Sequence, residues 1–141
     1  MGFKVKIEGA DSINLGLQVV TSVKYQTNTP KDSNARSKDI GATLYIKGKI
    51  LAELQGDVHD GPKKMGKWSL VPAEKADAYR NVEVEVHSAG QVVRKISLPN
   101  AFVIDYTEHY GDLEGTGTFE LVVRQKKDKI DSTKIDGGYP L

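Results

Sequence analysis

The residues whose types and spacing could support catalysis lie together in the C-terminal third of the chain. Asp105, Glu108, His109 and Asp112 form the densest group of acidic and histidine side chains in the sequence. A carboxylate and an imidazole within hydrogen-bond reach can act as a general acid and base. The glycine- and acid-rich segment 111–117 follows directly, and such a composition is typical of a solvated hairpin loop. The sequence favours the loop over the catalytic group.

A second group that could bind a ligand is the DxHD cluster of Asp57, His59 and Asp60, which lies in a glycine-rich segment. Carboxylates and imidazoles are metal ligands, but hydrophilic loops also produce such clusters by chance. His87 alternates with two glutamates on the polar face of a predicted strand, where a solvated histidine needs no ligand. No two histidines have the spacing of an HxxxH site, so the sequence predicts no metal site.

Other kinds of active site are excluded by residues that the chain lacks. It has no cysteine, which rules out disulfides, thiolate zinc sites and thiol catalysis. No serine lies in a nucleophile-elbow pattern, and the segment GDLEGTG lacks the lysine of a phosphate-binding loop. The sequence therefore predicts a protein that is not an enzyme and that binds no cofactor.

The length and composition indicate one soluble domain. The chain has 141 residues, 38% hydrophobic and 28% charged, with a formal net charge of +1. This balance gives no indication of a nucleic-acid or membrane-surface partner, and no run is long enough to span a bilayer. The N-terminus lacks the apolar core of a signal peptide. We therefore expect a protein that is cytoplasmic as synthesised and that is not inserted in a membrane.

Alternation of apolar and polar residues predicts a series of antiparallel strands. The predicted strands are 3–7, 13–25 (with a bulge or sharp bend at Gly16), 40–50, 82–87, 92–98, 101–106 and 118–124. Segment 101–106 is instead a near-continuous apolar run, interrupted only by Asp105. The last two segments form a predicted hairpin. The apolar side chains of this hairpin that we expect in the core are Phe102, Ile104, Phe119, Leu121 and Val123.

One short helix is predicted over residues 72–81, because Pro72 suits a first helical turn and Glu74 lies near its positive N-terminal end. Glycines in segment 51–66 argue against a long regular element there, and residues 67–71 read as a short strand. The predicted fold class is mainly β: an antiparallel two-sheet β-barrel or sandwich with this one flanking helix, in a single domain over residues 1–141.

Two polar segments are candidates for contacts with other subunits. Segment 27–39 is long for a loop in a small domain, and such loops are either plain surface connections or functional. The tail 130–141 is either a frayed terminus or a segment that docks on a neighbouring subunit. The residues of the loop are Thr27, Asn28, Thr29, Pro30, Lys31, Asp32, Ser33, Asn34, Ala35, Arg36, Ser37, Lys38 and Asp39.

Three phrases in the second half of the chain carry a family resemblance. They are WSLVPAE (68–74), YRNVEVEVHSAGQVVRKISLPNAFVIDYTE (79–108) and GTGTFELVVRQKKDK (115–129). Together they resemble the Hcp family, the tube proteins of type VI secretion systems, which are related to the tail-tube proteins of contractile phages. The resemblance covers residues 67–129; the first half of the chain matches only in layout.

The resemblance implies a self-assembling structural protein. A two-sheet β-barrel with one helix would form hexameric rings, and the rings would stack into a hollow tube of a contractile injection or secretion machine or a phage tail. The implied partners are the protein itself, sheath, baseplate or spike proteins, and cargo effectors. The machine would export the protein, or the protein would be part of a phage tail. Segment 27–39 occupies the place of the arm that contacts the neighbouring subunit or the next ring.

Two other functions are open at the level of sequence. The chain could be a monomeric β-sandwich that binds a carbohydrate or peptide on aromatic side chains, with Tyr25, Tyr45, Trp68 and Tyr110 as the stacking surface. It could also be a small hydrolase that uses Asp105, Glu108 and His109.

Overall fold

Strands account for most of the chain in a computed structural model that describes residues 1–28, 41–50, 61–112, 117–125 and 134–140. A nine-residue α-helix, α1, covers Gly61–Ser69, and a 3₁₀ turn covers Ala76–Ala78. The strands are β1 (Gly2–Glu8), β2 (Ser12–Leu15), β3 (Val20–Asn28), β4 (Gly41–Ile50), β5 (Arg80–Ser88), β6 (Gln91–Tyr110), β7 (Gly117–Gln125), β8 (Lys134–Asp136) and β9 (Tyr139–Pro140).

All nine strands belong to one antiparallel sheet. Its main path runs β2-β1-β5-β6-β7-β4-β3, and β8 and β9 pair with β6 beside this path. Strands β1 and β3, which do not pair with each other, come into contact, so the sheet curls until its two halves face each other. The mainly β, antiparallel, barrel-like or sandwich-like class predicted from the sequence is confirmed, with one continuous sheet in place of two separate ones.

Strand β6 is long enough to belong to both halves of the sheet. Its first part pairs with β5 from Gln91 to Leu98 and again at Ala101, and its second part pairs with β7, on the opposite edge, from Ala101 to Tyr110. The two pairings meet beside Asn100, whose φ of 56° lies in the left-handed region that asparagine tolerates better than most residues. The buried Gln125 side chain donates a hydrogen bond to the Pro99 carbonyl oxygen and holds the bend from β7.

One hydrophobic core lies between the two halves, because the inward positions of the strands from both halves form a single cluster. The alternation seen in the sequence selects these positions, since successive side chains point to opposite faces of a strand. The cluster includes Val5 and Ile7 of β1, Leu44 and Ile46 of β4, Val82 and Val84 of β5, and Phe119, Leu121 and Val123 of β7.

Ile104 is an exception to the core predicted for the β6–β7 hairpin. The register between Val103 and Asp105 shifts at a β-bulge, which leaves Ile104 out of the paired alternation. Its side chain is 42% exposed, and Phe102 is only partly buried. Phe119, Leu121 and Val123 are buried as expected.

The single strand predicted for residues 13–25 is two strands. The chain turns after Gly16, whose carbonyl oxygen accepts hydrogen bonds from the backbone N–H groups of Val19 and Val20. The turn separates β2 from β3, which lie at opposite ends of the sheet path.

The helix predicted at residues 72–81 is wrong. These residues form turns and the 3₁₀ turn before β5 begins at Arg80, whereas the helix lies at Gly61–Ser69, in a region where glycines argued against regular structure. Ala73 and Ala76, the apolar positions of the predicted helix, are exposed, so they do not pack against the core. Residues 67–69 belong to α1 and not to a strand.

Tertiary packing explains why α1 forms in spite of its weak intrinsic propensity. Pro62 stands in the first turn, where a missing N–H group costs nothing. Met65 and Trp68, three residues apart on one face, are both buried in the core. The Trp68 indole N–H donates a hydrogen bond of 3.0 Å to the Ala78 carbonyl oxygen and so connects the helix to the 3₁₀ turn.

A buried arginine completes this connection. The Arg80 side chain is 4% exposed, and its guanidinium carbon lies 5.2 Å from the centre of the Trp68 ring. Its Nη2 donates to Asp77 Oδ2 at 2.9 Å, and Asp77 Oδ1 accepts from the Ala10 backbone N–H at 3.3 Å. The hydrogen bond from Arg80 lowers the pKa of the Asp77 carboxyl. The helix, the 3₁₀ turn and the β1–β2 turn are therefore joined at one cluster.

The C-terminal tail pairs with β6 of its own chain in the residues that the structure describes. Strand β8 lies along Lys95–Ser97 and β9 along Gln91–Val92. Residues 134–140 are thus neither frayed nor without structure. The sequence did not indicate this pairing, because the apolar residues of the tail follow no period of two.

Replacing Trp68 with alanine should lower the free energy of unfolding by about 3–5 kcal/mol, since a fully buried aromatic side chain leaves a cavity. Trp68 is 1% exposed and also donates a hydrogen bond. Urea unfolding followed by far-ultraviolet circular dichroism measures the change. Leu70→Ala is the matched control, because Leu70 is 81% exposed at the end of the same helix, and it should change the value by less than about 0.5 kcal/mol. Equal losses in both variants would contradict the assignment of Trp68 to the core.

Candidate assembly interface

The acidic and histidine group of β6 is divided between the two faces of the strand. Glu108 accepts hydrogen bonds from the hydroxyl groups of Tyr106 (2.7 Å) and Tyr110, two residues away on either side. His109 instead lines an open cleft with Lys47, Thr107, Thr118 and Glu120.

The separation of Glu108 from His109 follows from strand geometry, because consecutive residues of a strand point to opposite faces. Asp105 shares no hydrogen bond with either of them among the described residues. Asp112 lies beyond the end of β6 and is exposed. The structure therefore does not bring Glu108 and His109 together as an acid–base pair.

Glu108 helps to hold the Tyr106 side chain in place between β6 and α1. The hydroxyl group of Tyr106 lies 2.9 Å from the Pro62 carbonyl oxygen, as well as 2.7 Å from Glu108 Oε1. Burial raises the pKa of Tyr106 far above its ordinary value, and the hydrogen bond to Glu108 adds to the effect. The hydroxyl stays protonated and ties the start of α1 to β6.

The other histidine and acid candidates give no metal site in the part of the chain that the structure describes. Asp57, His59 and Asp60 lie outside the described residues. His87 is more buried than the sequence indicates, because a bulge after Val86 shifts it, and its Nε2 lies 2.9 Å from Glu85 Oε1. Among the described residues, no group of three histidine or acidic side chains is arranged to hold a metal ion.

The four aromatic residues considered for ligand stacking do not form an accessible platform. Trp68 is buried in the core, and Tyr25 packs against the core, where burial raises the pKa of its hydroxyl. The Tyr45 ring lies under the Lys24 ammonium group at 5.1 Å. Tyr110 is exposed and bonded to Glu108. The arrangement gives no support to a carbohydrate-binding or peptide-binding face built on these residues.

The first two residues of the predicted contact loop belong to a strand. Thr27 and Asn28 belong to β3, where they pair with Ala42 and Gly41 of β4. Residues Thr29–Asp39 lie outside the described residues, so their role as a loop between subunits stays a prediction. The chain leaves β3 and enters β4 at directly opposite positions, Asn28 and Gly41.

The two ends of the sheet path are candidate surfaces for assembly. Strand β2 has a partner only in β1, and β3 only in β4, among the described residues. Each strand therefore has one edge with backbone N–H and C=O groups directed away from the sheet. Such edges can pair with a strand of another chain.

The outer face of the first half of the sheet is lined with paired charges. One row of residues crosses β1, β5, β6 and β8, with each residue directly opposite the next, and the signs of the charges alternate along it. The row is Lys4, Glu85, Lys95 and Asp136. Lys95 Nζ also lies 3.3 Å from Glu83 Oε1, and this hydrogen bond raises the pKa of Lys95. Opposite charges in such cross-strand pairs support the register of the sheet.

The described helix is too short and too polar to cross a membrane.

The fold is of the class found in Hcp and tail-tube proteins, as the sequence phrases indicated. Hcp1 from Flavobacterium johnsoniae is similar over 99% of this chain and 96% of its own, with a TM-score of 0.58 and 15% identity. A chain of the sheath–tube complex of an extracellular contractile injection system, PVC, in the extended state is similar over 97% and 89%, with a TM-score of 0.56 and 11% identity.

A type VI secretion system effector from Yersinia pestis is also similar, over 97% of this chain and 98% of that chain, with a TM-score of 0.55 and 10% identity. No family model and no curated protein sequence matches the chain. At these identities the likeness establishes an Hcp-like fold.

Replacing Tyr106 with phenylalanine should lower the free energy of unfolding by about 1 kcal/mol, because the half-buried hydroxyl shares its one proton between the Pro62 carbonyl oxygen and the Glu108 carboxylate. Tyr110→Phe is the matched control, since Tyr110 is exposed and bonds to Glu108 alone among the described groups. The comparison isolates the bond to the helix. Chemical unfolding of the two variants provides the measurement, and equal stability of both would show that the Pro62 bond contributes nothing.

Proposed function

We propose that this chain is the structural subunit of a tube. Copies of the protein assemble into hexameric rings, and the rings stack into the hollow tube of a contractile injection or secretion machine or of a phage tail. The observation that carries the proposal is the agreement of the fold with Hcp1 over nearly the full length of both chains. The likeness to a chain of the PVC sheath–tube complex supports the same role.

The ends of the sheet support assembly in a ring. A ring with one kind of subunit needs two different surfaces that fit each other, and it closes when the rotation between neighbours divides a full turn. Among the described residues, the edges of β2 and β3 that pair with no further strand lie at opposite ends of the sheet path and differ in length. They are suited to a head-to-tail contact of this kind.

The division of the acid–histidine group supports a role without catalysis. Glu108 is held by Tyr106 and Tyr110, away from His109, so the assembled state would be the functional product. Sheath, baseplate or spike proteins and cargo effectors are the partners that a tube requires. The protein would be made in the cytoplasm and exported by the machine, or built into a phage tail.

Ring formation is tested by size-exclusion chromatography with light scattering and by negative-stain electron microscopy over a range of protein concentrations. We expect a species of about six subunits and ring-shaped particles, with the fraction assembled rising with concentration. The variant with Asp105, Glu108 and His109 all changed to alanine should still assemble into rings, although the loss of the Tyr106 and Tyr110 bonds to Glu108 lowers its stability. A strict monomer at the highest concentration, without rings or tubes, would refute the proposal.

Segment 27–39 is proposed as the arm that contacts the neighbouring subunit or the next ring. Its described part, Thr27 and Asn28, continues β3, so the contact belongs to the residues after Asn28. A polar segment that becomes ordered on assembly loses conformational entropy, which keeps the contact reversible.

Deleting Ser33–Lys38 should leave the circular dichroism spectrum and the unfolding midpoint nearly unchanged and should weaken ring formation or stacking. A second variant replaces the same six residues with a glycine–serine sequence of equal length, which separates the loss of side chains from the loss of length. Analytical ultracentrifugation measures the assembly of both. If the shortened protein assembles at the concentration that the unchanged protein needs, the arm assignment is wrong.

A further inference from the structure

The C-terminal strands cover an edge of β6 that would otherwise be open. From Gln91 to Ser97, β6 pairs with β5 on one side and with β8 and β9 on the other. The second part of β6 has β7 in the corresponding place. The C-terminal strands therefore take over the position of β7 along the first part of β6.

This pairing is specific in geometry. Ile135 lies opposite Ile96, and Asp136 opposite Lys95 at the end of the alternating row of charges. The Gly138 N–H group donates a hydrogen bond of 2.8 Å to the Val92 carbonyl oxygen. A side chain at Gly137 would place its Cβ 2.1 Å from the Val93 carbonyl oxygen, so this position needs glycine.

The same pairing buries very little surface. All three residues of β8 are exposed, Ile135 is 50% exposed, and β9 has two residues. Segments with few buried apolar contacts open locally at a small cost in free energy. The tail is thus matched to β6 in register and only weakly held there.

The number of residues between β7 and β8 is larger than is needed to span the distance between the positions where these strands pair with β6. Gln125 lies opposite Ala101, and Lys134 lies opposite Ser97. The corresponding points on β6 are about 13 Å apart at the rise of a strand, whereas a chain from residue 125 to residue 134 reaches up to about 30 Å when extended. The connection therefore has spare length, which an exchange of β8 with a second molecule would need.

We propose that the tail, residues 134–140, is exchanged between copies of this chain when they assemble, so that β8 and β9 of one subunit pair with β6 of its neighbour. The same segment, with the same hydrogen bonds, covers the β6 edge whether it belongs to the same chain or to the neighbour. Exchange therefore costs little free energy. Each exchanged tail links two subunits across a contact that closes a ring or joins two rings. The inference rests on the proposed assembly and names the segment that holds it together.

Cysteine cross-linking tests the exchange cleanly, because the chain has no cysteine of its own. Ser97 and Lys134 are directly opposite in register, and such a pair lies within the Cα separation that a disulfide spans. The variant S97C/K134C is oxidised with diamide, first as dilute unassembled protein and then after assembly. Non-reducing gel electrophoresis separates cross-links within one chain from those between chains.

We expect cross-links within the chain in the dilute protein and a ladder of linked chains in the assembled protein. The single variants S97C and K134C, mixed before assembly, provide a stricter readout, because only exchange brings the two new thiols together. About one contact in four should link when the two variants mix at random in a ring. Each single variant alone shows any background linkage between identical positions.

The control pair is K4C/E85C, since Lys4 and Glu85 are also directly opposite, on β1 and β5 of the same face. It should give cross-links within the chain in both states. Assembled protein whose S97C/K134C cross-links stay within the chain would overturn the exchange and leave the ring proposal standing. Protein that never assembles, as measured by light scattering, would overturn both.

Discussion

The bend in β6 is the constraint on which the rest of the fold depends. One strand serves both halves of the sheet: its first part pairs with β5, its second part pairs with β7, and the left-handed backbone of Asn100 lies just before Ala101, where the two pairings meet. Gln125, at the end of β7, bonds across the bend to Pro99. The two halves then enclose one core, and no separate connection between two sheets is needed.

The Trp68–Arg80 cluster closes the structure beside β6 and shows how packing outweighs local sequence preference. Segment 61–69 contains two glycines and a proline, yet it is the helix, because Met65 and Trp68 reach the core only from that geometry. Segment 72–81 has better helix formers, yet it turns, because the Ala78 carbonyl oxygen meets the indole of Trp68 and Arg80 begins β5. A buried guanidinium is costly without partners. Asp77 accepts from Nε and Nη2 and the indole ring lies against the guanidinium, whereas Nη1 has no hydrogen-bond partner among the described residues.

The parts of the fold that the sequence predicted are those decided by alternation along one strand. The inward positions of β1, β4, β5 and β7 were found in this way, and the same rule places Glu108 and His109 on opposite faces. The parts that it missed depend on distant residues. Ile104 is exposed through a register shift against β7, and Ile135 and Tyr139 have a partner only because the first part of β6 has an open edge. No local pattern in the tail contains that information.

The distribution of charge favours edges over faces as the means of the proposed association. On the outer face of the first half, each charge of the row from Lys4 to Asp136 lies opposite a charge of the other sign within the same molecule. A partner that covered this face would have to remove water from these charges, and little would be gained in return. Among the described residues, the edges of β2 and β3 instead carry backbone groups directed away from the sheet, although the Ser12 carbonyl oxygen of β2 accepts a hydrogen bond from Lys64. Such groups can pair with another strand. Because β8 and β9 pair with β6 through their backbones, edge pairing of this kind would account for the proposed self-association.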